Sequence, residues 1–258
     1  MPARALFART AGADLPRSRV RRQAQGGRQL SETTREKRVR ASVISEQLAL
    51  AYPEIQVPLD HKNAFELLVA VILSAQCSDA AVNKVTPILF HLYPDPRSLA
   101  QAPRHEIENV IRTLGLFHAK AKSLQRCARQ LIDEFDGQVP STMEELTRLA
   151  GVGRKTANVM RGHAFAIPGI VVDTHCRRVS RRLGLSRHED PTMIERDLNH
   201  LLPPEQWTGF SHRLIIHGRS VCHARKPACA ACVLNELCPS RALSNGAVTE
   251  SPTVSHTS

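Results

Sequence analysis

Aromatic residues make up only 4% of this 258-residue chain, with seven Phe, two Tyr and one Trp. Proteins that hold single-stranded nucleic acid stack successive bases on aromatic rings, so such a platform is not expected here. Long apolar runs are also missing. The longest, Leu67 to Ala75, falls far short of the roughly 20 residues that cross a bilayer, and no membrane partner is expected. No apolar segment with a cleavage site stands near residue 1, and seven cysteines are an odd number. A secreted disulfide scaffold is therefore set aside, and a reducing compartment is expected. Neighbouring segments do not alternate at period two, and no repeat recurs at solenoid spacing, so sheets and repeat arrays are not expected either.

Acids are outnumbered, 24 against 35 Lys and Arg, which gives a formal charge of +11 and a pI near 9.8. A polyanionic partner is implied. Residues 1–40 hold eleven of the cations and three acids, a net +8, so the remainder carries only +3. Any nucleic-acid surface on the body must then be a local patch, and contact with a duplex backbone is the better expectation. Residues 1–33 read as a disordered basic arm. Their low acid content also resembles an organelle transit peptide, the less favoured reading. From Thr34 the spacing is helical almost throughout, and Pro53, Pro58, Pro94, Pro96, Pro103, Pro140, Pro168, Pro191, Pro203 and Pro204 cut it into helical lengths. The fold class is all-α. Ile170 to Val172 has no partner strand and reads as a connector, and residues 241–258 read as a disordered tail.

The most informative stretch is VPSTMEELTRLAGVGRKTANVM, followed by VVDTH. Ser141 with Glu144, or Thr142 with Glu145, makes a capping box that starts a short helix. Gly151-Val152-Gly153 breaks it, and a second helix runs from Arg154 through Phe165. Glycines let the turn approach a neighbour closely, and the unpaired N–H groups of the new helix form an anion site. Lys155 lies in the first turn, where the dipole disfavours a cation. Partial burial would make its amine available as a Schiff-base nucleophile. Asp173 reads as the N-cap of the next helix, a rigid carboxylate that can also assist a nearby amine.

Gln76 stands at the end of the most apolar helix, before a cap at Ser78 or Asp79. Gly115 is placed to end a helix, leaving Leu116 and Phe117 at a loop tip. Arg177, Arg178, Arg181 and Arg182 cluster at helical spacing, as phosphate contacts or intramolecular ion pairs, and His175 beside them has a structural role. Cys222, Cys229, Cys232 and Cys238 form C-x6-C-x2-C-x5-C, and four soft ligands so close imply a metal. Zinc modules usually show two close CxxC pairs, and this run has one. The first loop, HARKPA, carries Arg225 and Lys226, which suit phosphate. Cys77, Cys127 and Cys176 fall outside the cluster.

LAGVGRKTANVM with VVDTH resembles the helix-hairpin-helix DNA glycosylases, and the lysine variant resembles the endonuclease III family. The cysteine spacing is similar to that family's [4Fe–4S] loop. One departure is Ala150, where the family commonly has Pro. The resemblance, covering about Thr34 to Pro239, implies a two-lobed fold. Residues 57–167 would form a six-helix barrel with the hairpin, and residues 34–56 with 168–240 a cluster-containing helical lobe. It implies removal of an oxidised pyrimidine from duplex DNA by a monomer. Lys155 would attack C1′ of an extruded nucleotide, Asp173 would assist, and β-elimination would cut the strand. Gln76 would fill the gap left by the base and Leu116 would wedge the duplex, with Phe117 packing inward. Gly151, Gly153, Arg178, Arg225 and Lys226 would contact DNA. The cytoplasm, at the nucleoid, is the expected location. The alternatives are a mismatch adenine glycosylase, whose branch lacks the lysine at position 155 and carries a further C-terminal domain, and a non-catalytic DNA-binding scaffold.

Overall fold

The protein was analysed as a computed structural model that describes residues 32–55 and 57–241. The basic arm as far as residue 31, and the tail beyond 241, lie outside the described residues. Every regular element among those described is helical. Helix α1 (Thr34–Ala51) starts at Thr33, whose hydroxyl accepts from the Glu36 amide while Glu36 reaches back to the Thr33 amide. The Thr33 and Glu36 amides are thereby both satisfied.

Helix α2 (Ala64–Leu73) is capped by Asn63 and is buried from Phe65 through Leu73, including Glu66. An apolar run with no polar face can be stable only inside other helices. Around it lie α3 (Asp79–Leu92), α4 (Pro96–Gln101), α5 (Arg104–Val110), α6 (Phe117–Phe135), α7 (Met143–Arg148) and α8 (Arg154–Ala164). Residues 57–167 thus hold seven helices, one more than expected, because Pro103 separates α4 from α5. Ser78, not Asp79, caps α3, and Thr142, not Ser141, caps α7. Helix α5 ends at Val110, so Gly115 does not close it. The left-handed residue of that loop is Leu116, with φ +59°, at the start of α6.

A second apolar core joins α1 to α9 (Thr174–Arg182), α10 (Pro191–Leu201) and α11 (Pro204–Ser220), with Phe210 and Leu214 fully buried. The segment between α8 and α9 has no regular secondary structure, as expected of the Ile170–Val172 connector, and serves both cores. Val171 packs into the core around α2, while Ile170 and Val172 pack into the other. Successive side chains of an extended chain face opposite ways, which explains an apolar run without a partner strand. Asn158 of α8 donates to the Ile170 carbonyl at 2.8 Å, and the Val171 amide donates to Ser211 of α11 at 3.1 Å. These two bonds fix the segment that delivers Asp173.

Candidate active site and metal centre

The hairpin between α7 and α8 turns at Gly151, whose φ is +83°. A Cβ there would stand 3.1 Å from the Ser123 Cβ and 3.2 Å from the Ile72 Cγ2, so glycine is required for backbone and space alike. Gly153 is the N-cap of α8, with nothing within 4 Å of an added Cβ, and leaves the first amides of the helix open. Arg154, at the first helical position, forms a bidentate ion pair with the buried Glu195 of α10, at 2.7 and 2.9 Å. That pair raises the Arg154 pKa and ties the hairpin to the second core.

Lys155 is exposed, so burial within the protein alone does not supply the condition expected for its amine. It lines a cavity of about 720 Å³ together with Asp173, Gln76, Asp79, His212 and Arg219. The volume suits a small organic ligand or an extruded nucleotide. Asp173 is half-buried. One carboxylate oxygen, Oδ1, accepts from the His175 and Cys176 amides, both at 2.8 Å. The same side chain thereby caps α9 and faces the cavity. Gln76 is exposed at the cavity, just past the end of α2, with a left-handed φ of +56°. Arg219 bonds Asp79 at 3.3 Å, so α11 and α3 meet at its edge.

His212 was not singled out by the sequence. The signal was present in the helical spacing of His212, Ile215, Ile216 and Arg219, all of which line the cavity. Leu116 is 59% exposed, whereas Phe117 packs against the core around α2. Arg178 is turned inward. It donates from Nε to the Cys222 carbonyl at 3.1 Å and from Nη2 to the Gly218 carbonyl at 2.7 Å. The sequence assigned it to DNA, but its donors tie α9 to the cysteine segment, with His175 Nδ1 3.1 Å from Nη2. Arg177 and Arg181 pair with Glu189. Arg225 and Lys226 are exposed on the loop after Cys222.

Cys222, Cys229, Cys232 and Cys238 surround a second cavity, of about 500 Å³. Among the described residues no three His, Cys, Asp or Glu side chains are gathered closely enough for a single ion. Four thiols spread around one cavity fit a polynuclear group better. Burial and the neighbouring cysteines push the Cys232 and Cys238 thiols up. Positive charge in the cavity would offset that cost. Donors are also in place: Arg182 Nη1 lies 3.3 Å from the Cys222 sulfur and His217 Nε2 3.4 Å from the Cys232 sulfur. His217 is itself held at Nδ1 by the Tyr52 hydroxyl, at 3.0 Å. Cys127 and Cys176 are buried elsewhere, and burial pushes both up to about 12.

Residues 69–204 match the HhH-GPD superfamily of base excision DNA repair proteins, and residues 222–238 match the iron–sulfur binding domain of endonuclease III. This chain belongs to the endonuclease III family. Endonuclease III of Synechocystis sp. is 53% identical over 79% of this chain and 94% of its own length. The Bacillus subtilis enzyme is 46% identical over 72% of this chain and 86% of its own. A solved structure of a trapped endonuclease III–DNA covalent intermediate is similar with a TM-score of 0.76 and 43% identity. It covers 80% of this chain and 97% of that one. The iron–sulfur match begins and ends on Cys222 and Cys238.

Proposed function

We propose that this member of the endonuclease III family removes oxidised pyrimidines from duplex DNA and cuts the resulting abasic site, with Lys155 as nucleophile. The observation that carries the assignment of the nucleophile is the shared cavity of Lys155, Asp173 and Gln76. The target nucleotide must leave the stack for its sugar to reach a side chain. Gln76, extended from the end of α2, then offers an amide to the partner base left behind. The Lys155 amine attacks C1′ and the base departs. Asp173 stabilises the developing positive charge on the sugar or takes the lysine proton, its position fixed by two backbone amides. The imine so formed acidifies the C2′ proton, and elimination breaks the C3′–O bond.

The open amides at Gly153 and the exposed Arg225 and Lys226 suit phosphate contact. Arg178 we assign to the protein interior. Cys222, Cys229, Cys232 and Cys238 hold a [4Fe–4S] cluster, which braces the basic loop and takes no part in the step on the sugar. The separate apolar cores support a barrel domain over 57–167 and a cluster lobe over 34–56 with 168–240. Action as a monomer at the nucleoid is part of the same reading.

The test is borohydride trapping on duplex DNA carrying thymine glycol or an abasic site. Wild type should form a covalent complex, and Lys155→Ala should bind without forming one. Binding by wild type without trapping or cutting would instead leave a DNA-binding scaffold or a glycosylase without the lysine step.

A further inference from the structure

Two histidines from different helices meet beside the proposed reaction cavity. His163 of α8 and His212 of α11 have their Nε2 atoms 3.1 Å apart, and their ring centroids are separated by 4.4 Å. A hydrogen bond between two neutral imidazoles needs one protonated and one bare nitrogen. The contact therefore fixes complementary tautomers, and it leaves Nδ1 of each ring for other partners. Among the described residues His212 Nδ1 has no hydrogen-bond partner, and it is not sealed off as an orphaned buried group. His212 lines the cavity with Lys155 and Asp173, while His163 does not. His163 instead lines an adjoining open pocket with Asp60 and His61, which shares Val57 and Leu59 with the cavity.

We infer that His212, held by His163, is the base that takes the C2′ proton in the strand-cutting step. This rests on the lysine imine reading given above. Once Lys155 is joined to C1′ as an imine, the C2′–H bond breaks and its electron pair forms the C1′–C2′ double bond of an enamine. The proton moves to His212 Nδ1. The enamine then expels the 3′ phosphate as the C3′–O bond breaks, and the histidinium returns its proton to solvent or to the departing phosphate. No oxidant or further reactant is needed. His212 Nε2 donates to His163 Nε2, which leaves Nδ1 unprotonated for the transfer.

The surroundings keep the ring in the form this role requires. Burial is the largest influence on His212 and pushes it down to about 4. His163, Arg219 and Lys155 act in the same direction, and Asp173 opposes them. His163 is also lowered, by burial and by His61 behind it. The imidazole is thus neutral at pH 7 and able to accept a proton. The developing histidinium would be stabilised by Asp173, the one acid among the groups that act on it. Asp173 is accordingly left to the lysine and sugar charge, and the two acid–base duties fall on different side chains.

The experiment separates imine formation from elimination. Duplex DNA with a preformed abasic site is mixed with excess protein, and both borohydride trapping and strand cutting are followed in a single turnover from pH 4.5 to 8. For His212→Gln, trapping should stay near the wild-type yield while cutting slows by about 10²-fold. His163→Val should keep trapping and slow cutting by less, because the ring survives but its tautomer is no longer fixed. Retained cluster absorbance and helical circular dichroism establish that both variants fold. Cutting by His212→Gln at the wild-type rate with the wild-type pH profile overturns the assignment, as does a parallel fall in trapping and cutting. Failure of wild type itself to trap would instead overturn the lysine reading.

Discussion

The backbone N–H of Ala150 donates to Gln130 Oε1 at 2.8 Å, and Gln130 Nε2 donates in turn to the Arg148 carbonyl at 3.1 Å. One side chain of α6 therefore holds the end of α7 and the entry to the glycine hairpin. Proline, the residue that the family resemblance implies at position 150, lacks the donor that this contact uses. Leu149, with φ −68° and ψ +140°, already has the conformation that a following proline demands. Gln130→Ala should lower stability by about 1 kcal/mol. In an Ala150→Pro background the same change should cost less, because the Oε1 bond is already gone. A double-mutant cycle in urea measures the difference, and additive effects would mean that the bond contributes nothing.

The two hairpin glycines are expected to separate structure from binding. Gly151→Ala forces a Cβ into left-handed backbone and against Ser123 and Ile72. About 1–2 kcal/mol follows from the backbone alone, with overpacking added to it. Gly153→Ala meets nothing and should cost within about 1 kcal/mol as a poorer cap. Its effect should appear in DNA affinity, because a methyl is added at the turn that a phosphate would approach. Equal denaturation midpoints for the two variants would contradict the geometry.

Asp173 combines a helix cap with a charge, and substitution can divide them. Asparagine caps nearly as well as aspartate, so Asp173→Asn should change stability little while slowing base release by about 10²-fold or more. Asp173→Ala loses the cap as well and should cost about 1 kcal/mol in addition. Thermal unfolding beside single-turnover kinetics tests this. A similar loss of stability in both variants would show that the charge, not the cap, holds α9.

These residues also show what could be read from the chain. Lys155, Asp173 and the four cysteines were legible because local rules mark them: a glycine turn, an N-cap and ligand spacing. Their roles came from the family resemblance. The inward turn of Arg178 was not legible, since its partners, the carbonyls of Gly218 and Cys222, lie about 40 residues away and carry no side-chain signal. The same holds for His212, whose partner His163 is 49 residues distant. Gly115 misled because glycine is the usual left-handed residue. Here Leu116 takes that conformation, held by the α6 helix that it begins.

Acid should unfold this protein through its buried histidines. His163 and His212 are both depressed below the ordinary value near 6.5, chiefly by burial. The unfolded chain binds these protons first as pH falls, so stability is greatest above pH 6.5 and declines from there toward pH 4. The loss should be on the order of 1–3 kcal/mol. His212→Gln should flatten the decline. Urea midpoints measured across this window for both proteins give the comparison, and an unchanged slope would remove His212 from the account.

Leu116 and Phe117 are adjacent but should respond in opposite ways. Leu116 holds a left-handed backbone with its side chain 59% exposed, an arrangement that costs stability and gains no packing in the free protein. Leu116→Gly removes about 1–2 kcal/mol of strain against about 0.5–1 kcal/mol of added chain entropy, and should stabilise slightly. It also removes the apolar side chain that would enter a kinked duplex, so excision from a base-paired lesion should slow. Cutting at a preformed abasic site, where no pair has to be broken, should slow less. Phe117 packs on the core around α2, so Phe117→Ala should destabilise by about 1–3 kcal/mol with little change in that ratio. A protein made more stable yet slower only on paired lesions is hard to explain by folding. That combination would identify the strained leucine as kept for the duplex, whereas uniform slowing on both substrates would return it to an ordinary loop residue.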